Sequence, residues 1–236
     1  MNGKRRPTRY RLLLFALAAT TLFALAILVL LPVWNPCLDT ERAGRLRAVS
    51  LALRNYHSAY GSLPPAYVVD RNGSPMHSWR VLLLPFLGQE KLYERYDFQE
   101  PWNGPHNRLL EKDIPGVYRD TGWGGGKTAG VFAVVGAHTA WPGAKPISDR
   151  DMANRLAFTV LLVSRRNSNV SWMEPRDLTV DDLLASVRDG DKIGNRNRIF
   201  CAFADDHIER LANDASNEHL RALVEIVDDR PKGTAP

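Results

Sequence analysis

The stretch GRLRAVSLALRNYHSAYGSLPP, residues 44–65, decides the fold. Leu46, Val49, Leu53, Tyr56 and Tyr60 recur at intervals of three and four, which on a helix makes one apolar stripe. Arg45, Arg47, Arg54 and Asn55 fill the other faces. Gly61 supplies a carboxyl-terminal stop, and Pro64-Pro65 forbids continuation. A helix with one apolar face needs a layer to lie on, so the rest of the chain must provide it.

Towards the amino terminus, residues 12–31 (LLLFALAATTLFALAILVLL) hold no charge and only two polar side chains, Thr20 and Thr21. At about 1.5 Å per residue, a helix of that length spans the roughly 30 Å hydrocarbon core of a bilayer. Lys4, Arg5, Arg6, Arg9 and Arg11 precede it, and the first charges after it are Asp39 and Glu41, so the basic end is expected in the cytoplasm. A cleaved signal peptide has a shorter apolar core and a small-x-small site. Here the run ends in Leu31-Pro32-Val33-Trp34-Asn35-Pro36, with no such site and no small residues before Cys37. The expected organisation is a basic cytoplasmic segment at 1–11, an uncleaved transmembrane anchor at 12–33, a folded domain at 38–227 and a disordered tail at 228–236. The bulk of the chain is then extracytoplasmic, held by a single pass in the inner (cytoplasmic) membrane. Pro32 and Pro36 are expected to interrupt or kink the helix.

The chain carries 31 Lys+Arg against 26 Asp+Glu, a net charge of +5. All five excess cations fall within residues 1–11, so the remainder is neutral and has no basic stripe for nucleic acid. The two cysteines, Cys37 and Cys201, show no CxxC and no zinc spacing. A buried free thiol is expected at Cys201, and pairing with Cys37 stays open.

Towards the carboxyl terminus, residues 66–69 read as a short strand, and Asp70-Arg71-Asn72-Gly73 as an Asn-Gly turn. Ser78 is placed to cap a helix opening at Trp79 and bent at Pro85, and residues 89–96 read as a further amphipathic helix. Residues 100–105 form a rigid aromatic-bearing loop. Residues 131–135, 158–163 and 199–203 are short runs rich in β-branched and aromatic residues, and Asp205-Asp206 turns the last of them into a hairpin with residues 208–211. Helical spacing returns at 179–187 and 216–227. The class is α+β, not alternating βαβ.

Residues 53–107 are similar to the planctomycete prepilin-type family with domain of unknown function 1559 and an H-x(9)-D-G carboxyl-terminal signature. The resemblance is carried by Asn55-Tyr56-His57, Leu63-Pro64-Pro65-Ala66, Met76-His77-Ser78-Trp79-Arg80, Leu84-Pro85-Phe86-Leu87 and Tyr96-Asp97-Phe98 with Pro101-Trp102. Val134-Val135-Gly136 and the segment from Val170 through Trp172, Pro175 and Asp177 to Leu178 echo it later. It implies a pilin-like domain whose long amino-terminal helix packs on an antiparallel sheet, with no established catalysis. Two features depart from the family. Arg9-Tyr10-Arg11-Leu12-Leu13-Leu14 stands where a prepilin peptidase site and its glutamate belong. At the signature, Asn195 replaces the histidine and Asp206 the glycine that follows Asp205. An aspartate forced to positive φ there costs about 1 kcal/mol.

No catalytic constellation emerges. Residues 122–128 (GWGGGKT) miss the phosphate-loop pattern because Thr121 stands where its first glycine belongs, and there is no H-E-x-x-H or G-x-S-x-G. His57 and His77 are expected to hydrogen-bond backbone at helix ends. Asp189 and Asp191 are weak calcium candidates that lack the EF-hand order, so no metal and no cofactor is expected. Most of the aromatic set Trp79, Tyr93, Tyr96, Phe98, Trp102 and Trp172 belongs to a core, with Trp102 and Trp172 expected partly exposed. The leading expectation is a membrane-anchored, non-enzymatic structural or interaction domain whose partner is an envelope protein or a glycan. A saccharide or solute receptor using Trp102 and Trp172 is the alternative, and an enzyme the third.

Overall fold

The computed structural model describes residues 8–120, 126–148, 151–152, 155–166, 168–189, 199–212 and 214–226. Within its first helix, side chains are described at 15–25 and from 39 onward. The chain divides into two compact units, Met1–Glu41 and Arg42–Pro236.

Helix α1, Thr8–Tyr60, does not stop at Pro32 or Pro36, which corrects the expected interruption. Each proline removes one N–H from the ladder, a loss that a helix extending many residues on both sides can absorb. In the first unit the side chains of 15–25 are all exposed, although nine of the eleven are apolar and the other two are threonines. Among the described residues no helix is long and apolar enough to cross a membrane. Residues 12–14 and 26–33 of the expected span lie outside the described side chains.

The second unit follows the expected α+β class. Of the stripe read from the sequence, Leu46, Val49 and Leu53 are fully or almost fully buried, together with Ala52, whereas Tyr56 is half-buried and Tyr60, at 65% exposure, lies outside the core. Gly61 ends the helix at φ 75°, its N–H donating to the His57 carbonyl at 2.7 Å. The hairpin β1 (Tyr67–Val69) and β2 (Pro75–Ser78) closes through Asp70, whose Oδ1 accepts from Asn72 and Ser74 N–H, with Gly73 at φ 84°. Ser78 then caps α2, Trp79–Leu82, which lasts one turn before Pro85 opens a 3₁₀ turn at Leu84–Leu87. The amphipathic segment expected at 89–96 contracts to α3, Glu90–Glu94.

A four-stranded antiparallel sheet forms the centre, with strand order β3 (Val131–Phe132), β5 (Val160–Ser164), β7 (Phe200–Phe203), β8 (Ile208–Arg210). Beside it β4 (Val134–Val135) pairs in parallel with β6 (Leu178–Thr179), a pairing the sequence reading did not contain. Both faces of the large sheet are covered, which is why its strands read as continuous apolar runs. Val131, Leu162 and Ala202 join the α1 stripe in one core. Phe132, Val163, Cys201 and Phe203 join α4 (Val180–Asp189) and α5 (Asn217–Val224) in the other, through Leu183, Val187, Leu220 and Val224. Cys201 is free and fully buried, and burial pushes its thiol well up.

The β7–β8 hairpin turns through Ala204, Asp205 and Asp206, with Asp206 at φ 71°. That is a three-residue loop closed by a left-handed residue, the position for which glycine is best suited. Here Asp206 pairs instead with Arg54 of α1.

Candidate functional site

Two sites combine the motif residues, one inside the core and one at the surface. The inner one starts from Ser78. Its hydroxyl accepts from Arg80 N–H, and the single turn of α2 turns Trp79 and Arg80 inward, both fully buried. Asp177, immediately before β6, meets them, its side chain only 2% exposed. Arg80 Nη2 donates to Asp177 Oδ1 at 2.6 Å, and Nη1 donates to Ser78 Oγ at 3.0 Å and to Asp177 Oδ2 at 3.4 Å. Nε and Nη2 both donate to the Val131 carbonyl, so all five guanidinium donors are used.

Asp177 is equally committed. Trp79 Nε1 donates to Oδ2 at 3.0 Å, and the N–H of Ala133, the residue that separates β3 from β4, donates to Oδ1 at 2.8 Å. Burial pushes the Asp177 carboxyl up, while Arg80 and the two N–H donors pull against it. Tyr118 closes the network by donating its hydroxyl to the Arg80 carbonyl at 3.0 Å, and the Arg80 guanidinium lies 4.7 Å from the Trp79 ring. Two segments almost a hundred residues apart are thereby pinned together.

His77, 2% exposed, sits beside this network at the end of a strand, not at a helix end. Its Nε2–H donates to the Phe98 carbonyl at 3.2 Å, which leaves Nδ1 to accept from the Tyr96 hydroxyl at 2.9 Å. Burial holds its pKa below the ordinary histidine value and pushes the Tyr96 hydroxyl up. His57 lies half-buried on α1. Pro64 is buried and Pro85 half-buried, and both terminate or open turns; Pro175 is half-buried beside Met173 and Glu174.

The outer site is a cleft of about 230 Å³ lined by Trp102, Asn103, Arg108, Glu111 and Met173. The loop that carries Trp102 is fixed from within by Asn107, which is fully buried. Asn107 Nδ2 donates to the carbonyls of Asp97 at 2.8 Å and Pro101 at 3.2 Å, and Oδ1 accepts from Asp97 N–H at 2.9 Å. The Glu100 carboxylate accepts from Asn107 N–H and passes 2.5 Å from where a Cβ on Gly104 would stand, so a larger residue there would have to push the Glu100 side chain off Asn107. Trp102 N–H donates to the Met76 carbonyl at 3.0 Å, tying the loop to β2. Arg108 and Glu111 follow on the 3₁₀ turn Asn107–Asp113.

Among the described residues, the side chains of Asn103, Arg108 and Glu111 make no hydrogen bond or ion pair. Trp102 is half-buried, as expected. Trp172 is not: it is fully buried, its Nε1 without a hydrogen-bond partner, and the expectation of an exposed platform there is corrected. Its neighbour Met173 reaches the cleft instead. The Pro-bearing segment around it reads as a surface loop, but Asp177 draws it into the core.

Of the remaining candidates, Asp191 and Asn195 lie outside the described residues, as does the Asp189 side chain, and no cluster of metal-ligating groups occurs among the described residues. Asp205 Oδ1 accepts from His207 N–H and Nδ1–H, which hold its carboxyl below the usual range. Sequence reasoning named Trp79, His77 and Trp102, quoted Arg80 and Asp177 only as part of the resemblance, and missed Asn107, Arg108 and Glu111. For Arg80 a signal existed: a single arginine inside a segment otherwise bound for the core.

A family model described as a protein of unknown function (DUF1559) matches residues 44–117. The matched part runs from the buried stripe of α1 through Arg80 and the Trp102 loop, and it leaves out Val131, Ala133 and Asp177 of the inner site and Met173 of the outer one. No curated protein and no solved structure matches the chain.

Proposed function

We propose that this protein is a single-pass, membrane-anchored protein whose domain is pilin-like, extracytoplasmic and non-enzymatic, with an interaction role in the cell envelope. The observation that carries the anchor is the exposure of Phe15, Leu17, Leu22, Phe23 and Leu25 at 58–74% within a run that has no charge from residue 12 to residue 31. An apolar surface on every face of a helix needs lipid or protein to cover it. The basic residues before the run support an amino terminus in the cytoplasm. The pilin-like reading is supported by α1 laying Leu46, Val49 and Leu53 against one face of an antiparallel sheet.

The non-enzymatic reading is supported by where the reactive side chains are spent. His77, Arg80 and Asp177 are all consumed by internal hydrogen bonds. The cations Lys4, Arg5, Arg6, Arg9 and Arg11 ahead of the apolar run favour a monomer or small oligomer over a filament, since each charge drawn through the bilayer costs several kcal/mol. Protease added to spheroplasts is expected to digest the domain and spare the anchor. Full protection of the domain would overturn the topology. The second reading, a receptor for a small solute, is favoured by one observation, the uncommitted polar groups around Trp102.

A further inference from the structure

We propose that the Trp102 cleft binds a single neutral saccharide ring, read by Arg108 and Glu111 through two neighbouring hydroxyls; this deepens the interaction role proposed above and rests on it. The cleft, at about 230 Å³, is smaller than the sites of drug-sized ligands, roughly 300–1,000 Å³, which suits one ring better than an extended molecule. Its apolar lining is the half-buried ring of Trp102, a surface for the C–H face of a sugar, with the buried Met173 behind it. Its polar lining is Asn103, Arg108 and Glu111.

Arg108 and Glu111 stand three residues apart on a 3₁₀ turn, a spacing at which side chains eclipse one another. They are of opposite charge, yet they make no ion pair with each other. A guanidinium beside an unpaired carboxylate matches a vicinal diol: one hydroxyl accepts from Arg108 while its neighbour donates to Glu111. The two charges cancel, so the cleft does not select an ionic ligand. The loop is already held by Asn107, Glu100 and the Trp102–Met76 bond, so little ordering cost remains for binding.

The test uses the full chain in lipid nanodiscs, because sugar-headed detergents would compete. Tryptophan fluorescence is titrated with methyl glycosides of glucose, galactose, mannose and N-acetylglucosamine, and with free alanine and dialanine as zwitterionic probes. A saturable change with a glycoside at about 1 mM or below is expected, unaltered when ionic strength rises from about 0.05 to about 0.5 M. Trp102→Ala should weaken it about tenfold or more, and Arg108→Gln and Glu111→Gln about tenfold each, with Trp102→Phe partly restoring it. If Trp102→Ala fails to fold, the two exposed polar variants carry the test. Response to the amino-acid probes alone, affinity that falls steeply with salt, or glycoside binding indifferent to Arg108 and Glu111 would each overturn the proposal. No response to any probe would overturn it too, while protease accessibility in spheroplasts would still decide the anchored topology separately.

Discussion

Two places in this domain set a tryptophan beside an arginine and a carboxylate, and they are opposite in kind. Around Trp79, Arg80 and Asp177 every donor and acceptor is spent on another part of the chain, and both charged side chains are at 2% exposure or less. Around Trp102, Arg108 and Glu111 the charged side chains are exposed and unspent, while the backbone beneath them is fixed by Asn107. The same residue types thus serve as an internal pin in one place and as an open reading head in the other. What separates them is commitment of the polar atoms, which a list of residue types does not show.

The sharpest way to break that comparison is to remove one half of the pin. Arg80→Met leaves the Asp177 carboxylate buried without its counter-charge, and urea unfolding should show a loss of about 3–5 kcal/mol. The double variant Arg80→Met with Asp177→Asn should lose less than the single one, because a neutral amide can still accept from the Ala133 N–H and leaves no buried charge. A double variant as unstable as the single one would mean that packing, and not the ion pair, holds the two segments.

The buried tryptophans give a finer cut. Trp141 Nε1 donates to the Leu161 carbonyl at 2.8 Å, whereas Trp172 Nε1 has no partner, and both rings are at most 1% exposed. Replacement by phenylalanine removes the same atoms in each case. Trp141→Phe also strands a buried carbonyl, so it should cost about 1–3 kcal/mol more than Trp172→Phe in the same unfolding measurement. Equal costs would show that commitment of the N–H is not what distinguishes the two positions.

His77 extends the comparison to pH. Its folded pKa lies below the ordinary value, chiefly through burial, so the unfolded chain takes up the proton first as pH falls. Its contribution to stability is therefore complete above about pH 6.5 and declines as pH drops from there through the lowered folded pKa. The urea midpoint should show this slope in the parent protein and a shallower one in His77→Gln. Superimposable pH profiles would mean that His77 is not held neutral in the folded state.

Much of the fold was within reach of the sequence, and little of either the pin or the cleft was. The α1 stripe, the cap at Ser78, the β7–β8 hairpin and the α+β class all follow from local periodicity and turn chemistry, which act over a few residues. The partnership of Arg80 with Asp177 spans ninety-seven positions, and the parallel pairing of β4 with β6 depends on it through Ala133. Trp172 was misread because its segment is polar and Pro-bearing, while its burial is imposed from a distance by Asp177. The turn at Asp206 is the reverse case, since positive φ was foreseeable from the missing glycine and the compensating pair with Arg54 was not. Asp206→Gly relieves about 1 kcal/mol of backbone cost and gives up an exposed ion pair worth about 0–1 kcal/mol, so stability should rise slightly or stay level. Asp206→Ala keeps the backbone cost, loses the pair and should be destabilised. Alanine and glycine variants of equal stability would show that φ at this turn carries no cost.

The smallest expected effect is the most informative for the outer site. If Arg108 and Glu111 are uncommitted, changing them disturbs nothing that holds the fold together. Arg108→Gln and Glu111→Gln should each shift unfolding free energy by no more than about 0.5 kcal/mol, the range of surface substitutions away from structural features. The double variant should be additive, because two side chains on the same 3₁₀ turn that make no ion pair have no coupling to lose. A coupling above about 0.5 kcal/mol in that double-mutant cycle would reveal a solution ion pair between them and spend the groups that the cleft is argued to keep free. Additivity near zero leaves a carboxylate and a guanidinium three residues apart on one 3₁₀ turn with no structural use, which is the condition for reading a ligand.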